Sequence, residues 1–257
     1  MRLFDTHAHI GLIHDDPIEQ LIVAQEAKQD DITGILSICN NLRDFFTVYE
    51  NLKTASNVYF AVGVSPSEVT NPGRDWEEQI EQGAALPRVV AIGETGLDYF
   101  RKFGDKNSQI ELFIRQLEIA DRLRLPVIVH NREAGTDTLE ILQEKLPSRG
   151  GVLHCYSEDW IFAQKALDLN LYISFAGNVT YRNARTLHET AMNMPLERML
   201  VESESPFMVP AKHRGKRNKP SYMRETVSFL AELRDIPEEE LAAILHQNAC
   251  NLFDIEN

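Results

Sequence analysis

The sequence predicts an α/β fold in which eight strands and the helices between them close into a (β/α)8 TIM-type barrel. Short apolar runs rich in β-branched residues alternate with segments of helical periodicity along the whole chain, and eight such runs can be counted. The length of 257 residues is close to that of known barrels of this type. We therefore predict a single domain spanning residues 1–257.

The eight predicted strands follow the apolar runs in chain order. They are Leu3 to His7, Gly34 to Cys39, Val58 to Val64, Val89 to Gly93, Val127 to Val129, Gly151 to Leu153, Leu171 to Phe175 and Met199 to Val201. Such continuous apolar runs are typical of parallel strands covered by helices on their outer face. After Pro237 the pattern predicts one more helix, which ends at Phe253. An open doubly wound sheet is the alternative, but its GxGxxG fingerprint is missing after the first strand.

Helix starts can be predicted from capping residues. Asp16 precedes Pro17, and Glu19 follows at the capping-box position, so a helix is expected to begin here. The same reasoning applied to Ser108 and Glu111 predicts that a second helix starts at Ser108.

Composition indicates an ordinary globular protein, with 43% hydrophobic and 25% charged residues. The cysteines Cys39, Cys155 and Cys250 are odd in number and form no CxxC pair, which argues against a disulfide framework and a cysteine zinc site. No apolar run approaches the roughly 18 residues that a membrane span requires. We expect a soluble cytoplasmic protein that has no membrane association and no obligate protein partner.

The net charge of −13 opposes broad electrostatic binding to nucleic acid, so any such binding must be local. One basic segment could supply it, because five cations fall within eight residues: Lys212, Arg214, Lys216, Arg217 and Lys219. Composition alone favours a solvated loop over a phosphate-binding one.

Polar side chains cluster where the predicted strands end. These residues are Asp5, His7 and His9 after the first strand, Glu94 after the fourth, His130 after the fifth, His154 after the sixth, and Glu202 and Glu204 after the eighth. In a barrel the carboxyl ends of the strands converge on one face, where active sites are built.

The histidines among them indicate a metal site. His7 and His9 are two residues apart, so on a strand both side chains point the same way and can bind one ion. A single strand-end histidine is more often a hydrogen-bonded core residue than a ligand. Four histidines together with carboxylates reverse that preference, because a metal pair is the simplest partner for so many buried polar groups.

Several motifs resemble the TatD family of metal-dependent deoxyribonucleases, within the wider amidohydrolase barrels, and the resemblance covers nearly the whole chain. The motifs are the stretches Asp5 to His9, Gly93 to Asp98, Leu125 to His130 with Arg132, Gly151 to Tyr156, Arg214 to Pro220, and Asn248 to Phe253.

This resemblance implies a hydrolase that cleaves the phosphodiester bonds of DNA or an oligonucleotide with two divalent metal ions. It implies His7 and His9 on one ion, Glu94 as a bridge, and His130 and His154 on the second ion. It also implies that Glu204 contacts the metal centre and orients or deprotonates the attacking water. Family members use Mg²⁺, Mn²⁺ or Zn²⁺, and the sequence does not distinguish among them.

Further residues are candidates for binding substrate. Arg132 and the basic residues Arg214, Lys216 and Arg217 could hold phosphate. Tyr99 and Tyr156 could stack on bases or simply pack in the core. Leu97 and Asp98 are expected to shape the turn after the fourth strand.

The chain departs from the family pattern at three positions. Glu204 stands where an aspartate is usual, Ser65 replaces a histidine but can still donate a hydrogen bond to substrate, and Gly11 replaces an aspartate. The extra methylene of Glu204 predicts that Glu204→Asp would raise turnover.

Two alternatives follow. One is a catalytically weakened homologue that binds metal or nucleic acid. The other is an amidohydrolase of small metabolites, although no lysine ends the fourth or fifth strand to serve as a carboxylated bridge.

Overall fold

The computed structural model describes residues 1–256 and contains one eight-stranded parallel sheet in the order β1 to β8. The strands are β1 Leu3–Ala8, β2 Ile32–Ser37, β3 Val58–Val62, β4 Val89–Asp98, β5 Val127–Arg132, β6 Gly151–Leu153, β7 Tyr172–Phe175 and β8 Met199–Val201. The predicted (β/α)8 fold is confirmed.

The helices lie between the strands and after them. They are α1 Ile10–Ile13, α2 Pro17–Gln29, α3 Leu42–Leu52, α4 Trp76–Ala84, α5 Lys106–Leu123, α6 Gly135–Lys145, α7 Trp160–Asp168, α8 Arg185–Asn193, α9 Met223–Arg234 and α10 Glu238–Phe253. Among residues 1–256, no helix is long and apolar enough to cross a membrane.

Two apolar clusters hold these layers together. The larger cluster packs the helices against the strands. The smaller cluster joins residues from seven of the eight strands to α10. Phe4 of β1 and Phe253 of α10 stack within it, with ring centroids 5.9 Å apart. Helix α10 therefore packs against the side chains that fill the ring of strands.

The ring is closed by the segment that follows β8. The amide of Ser203 donates to Asp5 Oδ1 at 2.8 Å, and the amide of Glu204 donates to the carbonyl of His7 at 2.9 Å. The amide of His9 donates in turn to the carbonyl of Ser205 at 2.8 Å. These bonds join the first strand to the last at the residues predicted to bind metal.

Strands β4 and β5 extend further than predicted. Gly96 pairs with His130, and Asp98 pairs with Arg132, so these residues still belong to the parallel ladder. A Cβ at Gly96 would lie 2.0 Å from the carbonyl oxygen of His130, and φ is +131° there, so the position requires glycine. Asp98 ends the strand, and its Oδ1 accepts from the Arg101 amide at 2.8 Å, so it also holds the turn that follows.

The two predicted helix starts have different outcomes. Asp16 caps α2 as predicted, with Oδ1 accepting from the amides of Ile18 at 2.8 Å and Glu19 at 3.1 Å. The predicted start at Ser108 is wrong, because Asp105 caps α5 by accepting from the Ser108 amide at 3.0 Å. Ser108 lies inside the first turn of α5.

Candidate metal centre

Glu94 of β4 lies between two pairs of imidazoles, and each of its oxygens faces one pair. Oε2 is 3.7 Å from Nε2 of both His7 and His9. Oε1 is 2.9 Å from Nδ1 of His130 and 3.4 Å from Nε2 of His154. The resemblance implied these four histidines and this carboxylate, and the fold brings all five together.

The spacing within each pair suits a shared ion. The Nε2 atoms of His7 and His9 are 3.2 Å apart, and Nδ1 of His130 is 3.2 Å from Nε2 of His154. Two ligands that bind one tetrahedral ion at about 2.1 Å are separated by about 3.4 Å. Both pairs can therefore chelate a cation without a large movement of the strands.

The charge states of Glu94 and His7 also suit cations. Burial alone would raise the pKa of the Glu94 carboxyl, but the imidazoles of His154 and His130 hold that pKa well below its usual range. Burial lowers the pKa of His7, and the neighbouring His154 and His9 lower it further. Glu94 is thus a carboxylate and His7 a neutral imidazole, the forms in which both side chains bind metal.

Glu204 enters the centre from the segment after β8. Its Oε2 lies 3.4 Å from Nε2 of His7 and 3.8 Å from Nδ1 of His154, and it is buried without a hydrogen-bond partner in residues 1–256. Burial raises the pKa of this carboxyl well above its usual range, and Glu202 and Glu94 raise it further. A divalent ion at His7 would remove that penalty by compensating the buried charge.

Two further carboxylates orient the histidines from behind. Oδ2 of Asp98 lies 3.3 Å from Nε2 of His130, the nitrogen that faces away from Glu94. Oε1 of Glu202 lies 3.4 Å from Nδ1 of His154 and also accepts from the Cys155 amide at 2.9 Å. Carboxylates in this position fix the tautomer and ring orientation of metal-binding histidines.

Sequence reasoning missed both orienting roles. The apolar run predicts the end of β4 at Gly93, five residues too early, and so it gives Asp98 only the turn. Glu202 is predicted at a strand end without a role. The useful signal was its spacing of two from Glu204, which is the same spacing as that of His7 and His9.

Asp5 connects the centre to the ring closure. Its Oδ1 accepts from the amides of Ser203 at 2.8 Å and His7 at 3.3 Å. Burial raises the pKa of the Asp5 carboxyl to about 7, against the lowering effect of the Ser203 hydrogen bonds.

The donor set fits divalent metal ions. Three groups of side chains bring their ligand atoms within 4.8 Å of one another: His7, His9 and Glu94; Glu94, His130 and His154; and His7, His154, Glu202 and Glu204. Nearly all of these residues are buried, and burying so many ionisable groups without a compensating charge is costly. Imidazole and carboxylate together suit zinc and its neighbours, and they do not select one ion.

A cavity of about 340 Å³ opens above these ligands. His9, Glu94, His130, His154 and Glu204 line it, and its walls include Arg101, Phe103, Arg132, Asn178, Phe207 and Met208. The cations and apolar rings are therefore close to the metal ligands.

The fold brings two of the predicted substrate residues to this cavity. Arg132 lines it, with the guanidinium carbon 4.1 Å from the ring centroid of Phe100. Ser65 also lines the cavity, and its hydroxyl oxygen accepts from the Ser67 amide at 3.3 Å.

The two predicted tyrosines lie outside the cavity lining. The hydroxyl of Tyr99 donates to Asp137 at 2.6 Å, and the ammonium of Lys106 lies 4.0 Å from the Tyr99 ring centroid. Tyr156 is buried, and its hydroxyl donates to the carbonyl of Asp159 at 2.6 Å. The packing alternative therefore fits Tyr156, because its ring faces are covered by protein.

The basic loop, residues 211–219, also lies outside the cavity lining. Arg214 lies over the ring of Tyr181 at 5.7 Å, and Arg217 donates to the carbonyl of Leu12. Lys212 and Lys219 pair with Glu225 and Glu26. Arg214, Lys216 and Arg217 are thus not among the residues that line the cavity at the candidate metal centre.

A ring of eight parallel strands with histidines and carboxylates converging at their carboxyl ends is the arrangement of a barrel metal-dependent hydrolase. The chain belongs to the TatD family: the family model described as "TatD related DNase" matches residues 4–254. The family resemblance seen in the sequence is confirmed.

Similar proteins cover essentially the whole chain. A metal-dependent hydrolase of Escherichia coli K12, YcfH, named as uncharacterized, is 39% identical over 100% of this chain and 97% of its own. A protein of Citrobacter rodentium named "3'-5' ssDNA/RNA exonuclease TatD" is 33% identical, with 94% of this chain and 92% of its own covered. The crystal structure of YJJV, a TatD homologue from E. coli K12, superimposes with a TM-score of 0.92 at 29% identity and covers 99% of each chain.

Proposed function

We propose that this protein is a phosphodiesterase that hydrolyses nucleic acid, DNA or an oligonucleotide, with two divalent metal ions. The observation that carries the proposal is the position of Glu94, with one oxygen facing each histidine pair, at a cavity that also holds arginines. The exonuclease name of the C. rodentium relative supports the same substrate class.

Each residue has a proposed role. His7 and His9 would hold one ion and His130 and His154 the other, and Glu94 would offer one carboxylate oxygen to each pair. Bound divalent ions supply Lewis acidity, which acidifies a water molecule and stabilises the charged oxygens of a phosphodiester. Glu204 Oε2, which lies 3.4 Å from Nε2 of His7, would orient the attacking water and accept its proton. Arg132 contacts the phosphate, and stacking on Phe100 keeps its guanidinium in place.

The two alternatives differ from this proposal in measurable ways. A weakened homologue would bind metal or oligonucleotide without turnover, and Glu204 and Ser65 motivate it. A small-metabolite amidohydrolase would cleave amides or esters and leave oligonucleotides intact. We also propose a cytoplasmic location, which is supported by three cysteines that form no disulfide in residues 1–256.

The experiment combines metal analysis with a substrate panel. The protein is loaded with Mg²⁺, Mn²⁺ or Zn²⁺ and assayed on single-stranded and duplex oligonucleotides and on simple amides and esters. We expect two metal ions per chain and metal-stimulated cleavage of phosphodiesters. Failure to cleave any nucleic acid with any metal would refute the proposed function, and cleavage of amides instead would support the second alternative.

Glu94→Gln tests the bridge within the same experiment. A neutral amide cannot attract two cations as a carboxylate does, so we expect less bound metal and a loss of activity of about a hundredfold or more. Glu197→Gln is the matched control, because Glu197 is exposed and precedes β8, whereas the candidate ligands lie at the carboxyl ends of the strands. Full activity with two bound ions in Glu94→Gln would disprove the bridging role.

A further inference from the structure

An exposed aromatic ring lies directly beside the metal ligands. Phe207 is 50% exposed and lines the cavity, and its ring meets the ring of His9 edge-on, with centroids 6.2 Å apart. Among the phenylalanines of residues 1–256, only Phe100 and Phe207 are exposed, and Phe100 carries the guanidinium of Arg132. The proposed hydrolytic chemistry leaves Phe207 without a role.

The backbone holds Phe207 in this exposed position. The buried side chain of Asn218 donates to the carbonyl oxygens of both Phe207 and Ser203. The Phe207 amide donates to the Glu204 carbonyl at 2.8 Å. On the other side, a Cβ at Gly177 would lie 2.0 Å from the carbonyl oxygen of Met208, so the segment packs closely there. Because the backbone is already fixed, only the side-chain torsions of Phe207 lose freedom when the ring contacts a ligand.

The charges around the ring indicate what it contacts. Arg101 and Arg132 line the same cavity, in a protein whose net charge is −13. A local pair of cations beside an apolar ring complements a nucleotide, which presents a phosphate and a flat base. A small polar metabolite would gain nothing from the exposed ring.

We propose that Phe207 is the stacking platform for the nucleobase next to the phosphodiester held at the metal centre. Both faces of a base inside a duplex are covered by its neighbours, so only an unpaired or terminal base can stack on Phe207. The platform therefore selects substrates that carry such a base at this point. This inference rests on the proposed function and deepens it.

The test measures stacking separately from cleavage. The metal-loaded protein is mixed with a phosphorothioate-protected single strand that carries 2-aminopurine, whose fluorescence falls when it stacks, at each position in turn. We expect quenching at one or two neighbouring positions with the wild type and with Phe207→Tyr. Phe207→Ala should lose most of the quenching and bind about tenfold to a hundredfold more weakly. Ile161→Ala, which removes an exposed side chain from α7, should behave as the wild type.

A matched strand with an abasic site at the quenched position completes the test. Wild type and Phe207→Ala should bind this strand equally. The platform would be overturned if the wild type and Phe207→Ala showed equal quenching and equal affinity on the base-bearing strand. It would also be overturned if Phe207→Ala bound the abasic strand more weakly than the wild type by the same factor as on the base-bearing strand. A wild type that binds no oligonucleotide overturns it too.

The failure of this inference can be distinguished from failure of the proposed function. Stacking without cleavage of any phosphodiester would refute the hydrolysis and leave the platform standing. Cleavage that is unaffected by Phe207→Ala would refute only the platform.

Discussion

At the scale of single residues, Glu204 shows how a distance can change an expectation. From the sequence alone, the Glu204 side chain, one methylene longer than the aspartate usual at this position, is expected to misplace its carboxylate. In the structure its Oε2 lies 3.4 Å from Nε2 of His7, which is the spacing of two ligands on one ion. The longer carboxylate therefore lies at a distance from His7 that suits a shared ion, and we infer that the site accommodates glutamate.

We accordingly expect Glu204→Asp to lower kcat/KM by about tenfold to a hundredfold. The substitution withdraws the carboxylate by about 1.5 Å, and misplacement near 1 Å can cost about a hundredfold. Steady-state kinetics with a single-stranded oligonucleotide measure the effect, and Glu197→Asp is the control. A higher turnover would restore the sequence-based expectation and show that the glutamate is a handicap.

The strand pattern located the candidate metal ligands better than the residues behind them. Glu94, His130 and His154 stand directly after apolar runs, and His7 and His9 lie at the end of the first strand, so this pattern alone brings all five to one face. Asp98 reaches His130 only because β4 continues five residues beyond the apolar run that ends at Gly93. This extension depends on the pairing of β4 with β5. The apolar pattern of one segment cannot reveal such a pairing, because the partner strand lies elsewhere in the sequence.

At the scale of secondary-structure elements, the first turn of α2 depends on Asp16. We expect Asp16→Ala to lower the free energy of unfolding by about 1 kcal/mol, because two amides lose their acceptor. Urea unfolding monitored by circular dichroism measures this change. Asp15→Ala is the control, because it removes a neighbouring negative charge without removing the cap. An equal loss of unfolding free energy in both variants would assign the effect to charge.

The basic loop offers a second prediction at this scale. Arg214→Gln with Lys216→Gln should reduce the salt slope of oligonucleotide binding by about 1.4, or about 0.7 for each phosphate that is no longer neutralised. Because the loop lies outside the cavity lining, binding of a dinucleotide should be unchanged. Fluorescence anisotropy titrations from low to high salt measure the slopes of the wild type and of the variant.

The control for the loop is Lys28→Gln with Lys165→Gln, which removes the same charge from α2 and α7. If the control pair flattens the slope equally, the effect is one of net charge. An unaltered slope in the loop variant would make the loop an ordinary solvated surface.

At the scale of the whole molecule, the metal centre is expected to stabilise the fold. Its candidate ligands lie on β1, β4 and β5 and directly after β1, β6 and β8, so we expect only the folded chain to bind the ions tightly. Each ion at about a hundred times its dissociation constant would add about 2.7 kcal/mol, which raises Tm by about 5 to 10 °C for a domain of this size.

Calorimetry before and after chelation measures this contribution. Glu94→Gln should show a smaller shift on adding metal, while Glu197→Gln should match the wild type. An identical Tm with and without metal would mean that the ions contribute nothing to the stability of the fold.

The closure of the ring has a consequence for synthesis of the protein. The hydrogen bonds that join β1 to the last strand are made by residues 203–205, and Glu204 lies among them. A ribosome-bound chain that has emerged only as far as β7 carries all four histidines and Glu94, but it lacks the carboxylate that completes the centre. The proposed hydrolysis would thus begin only when the segment after β8 has closed the ring, so we expect a chain truncated after β7 to show no activity.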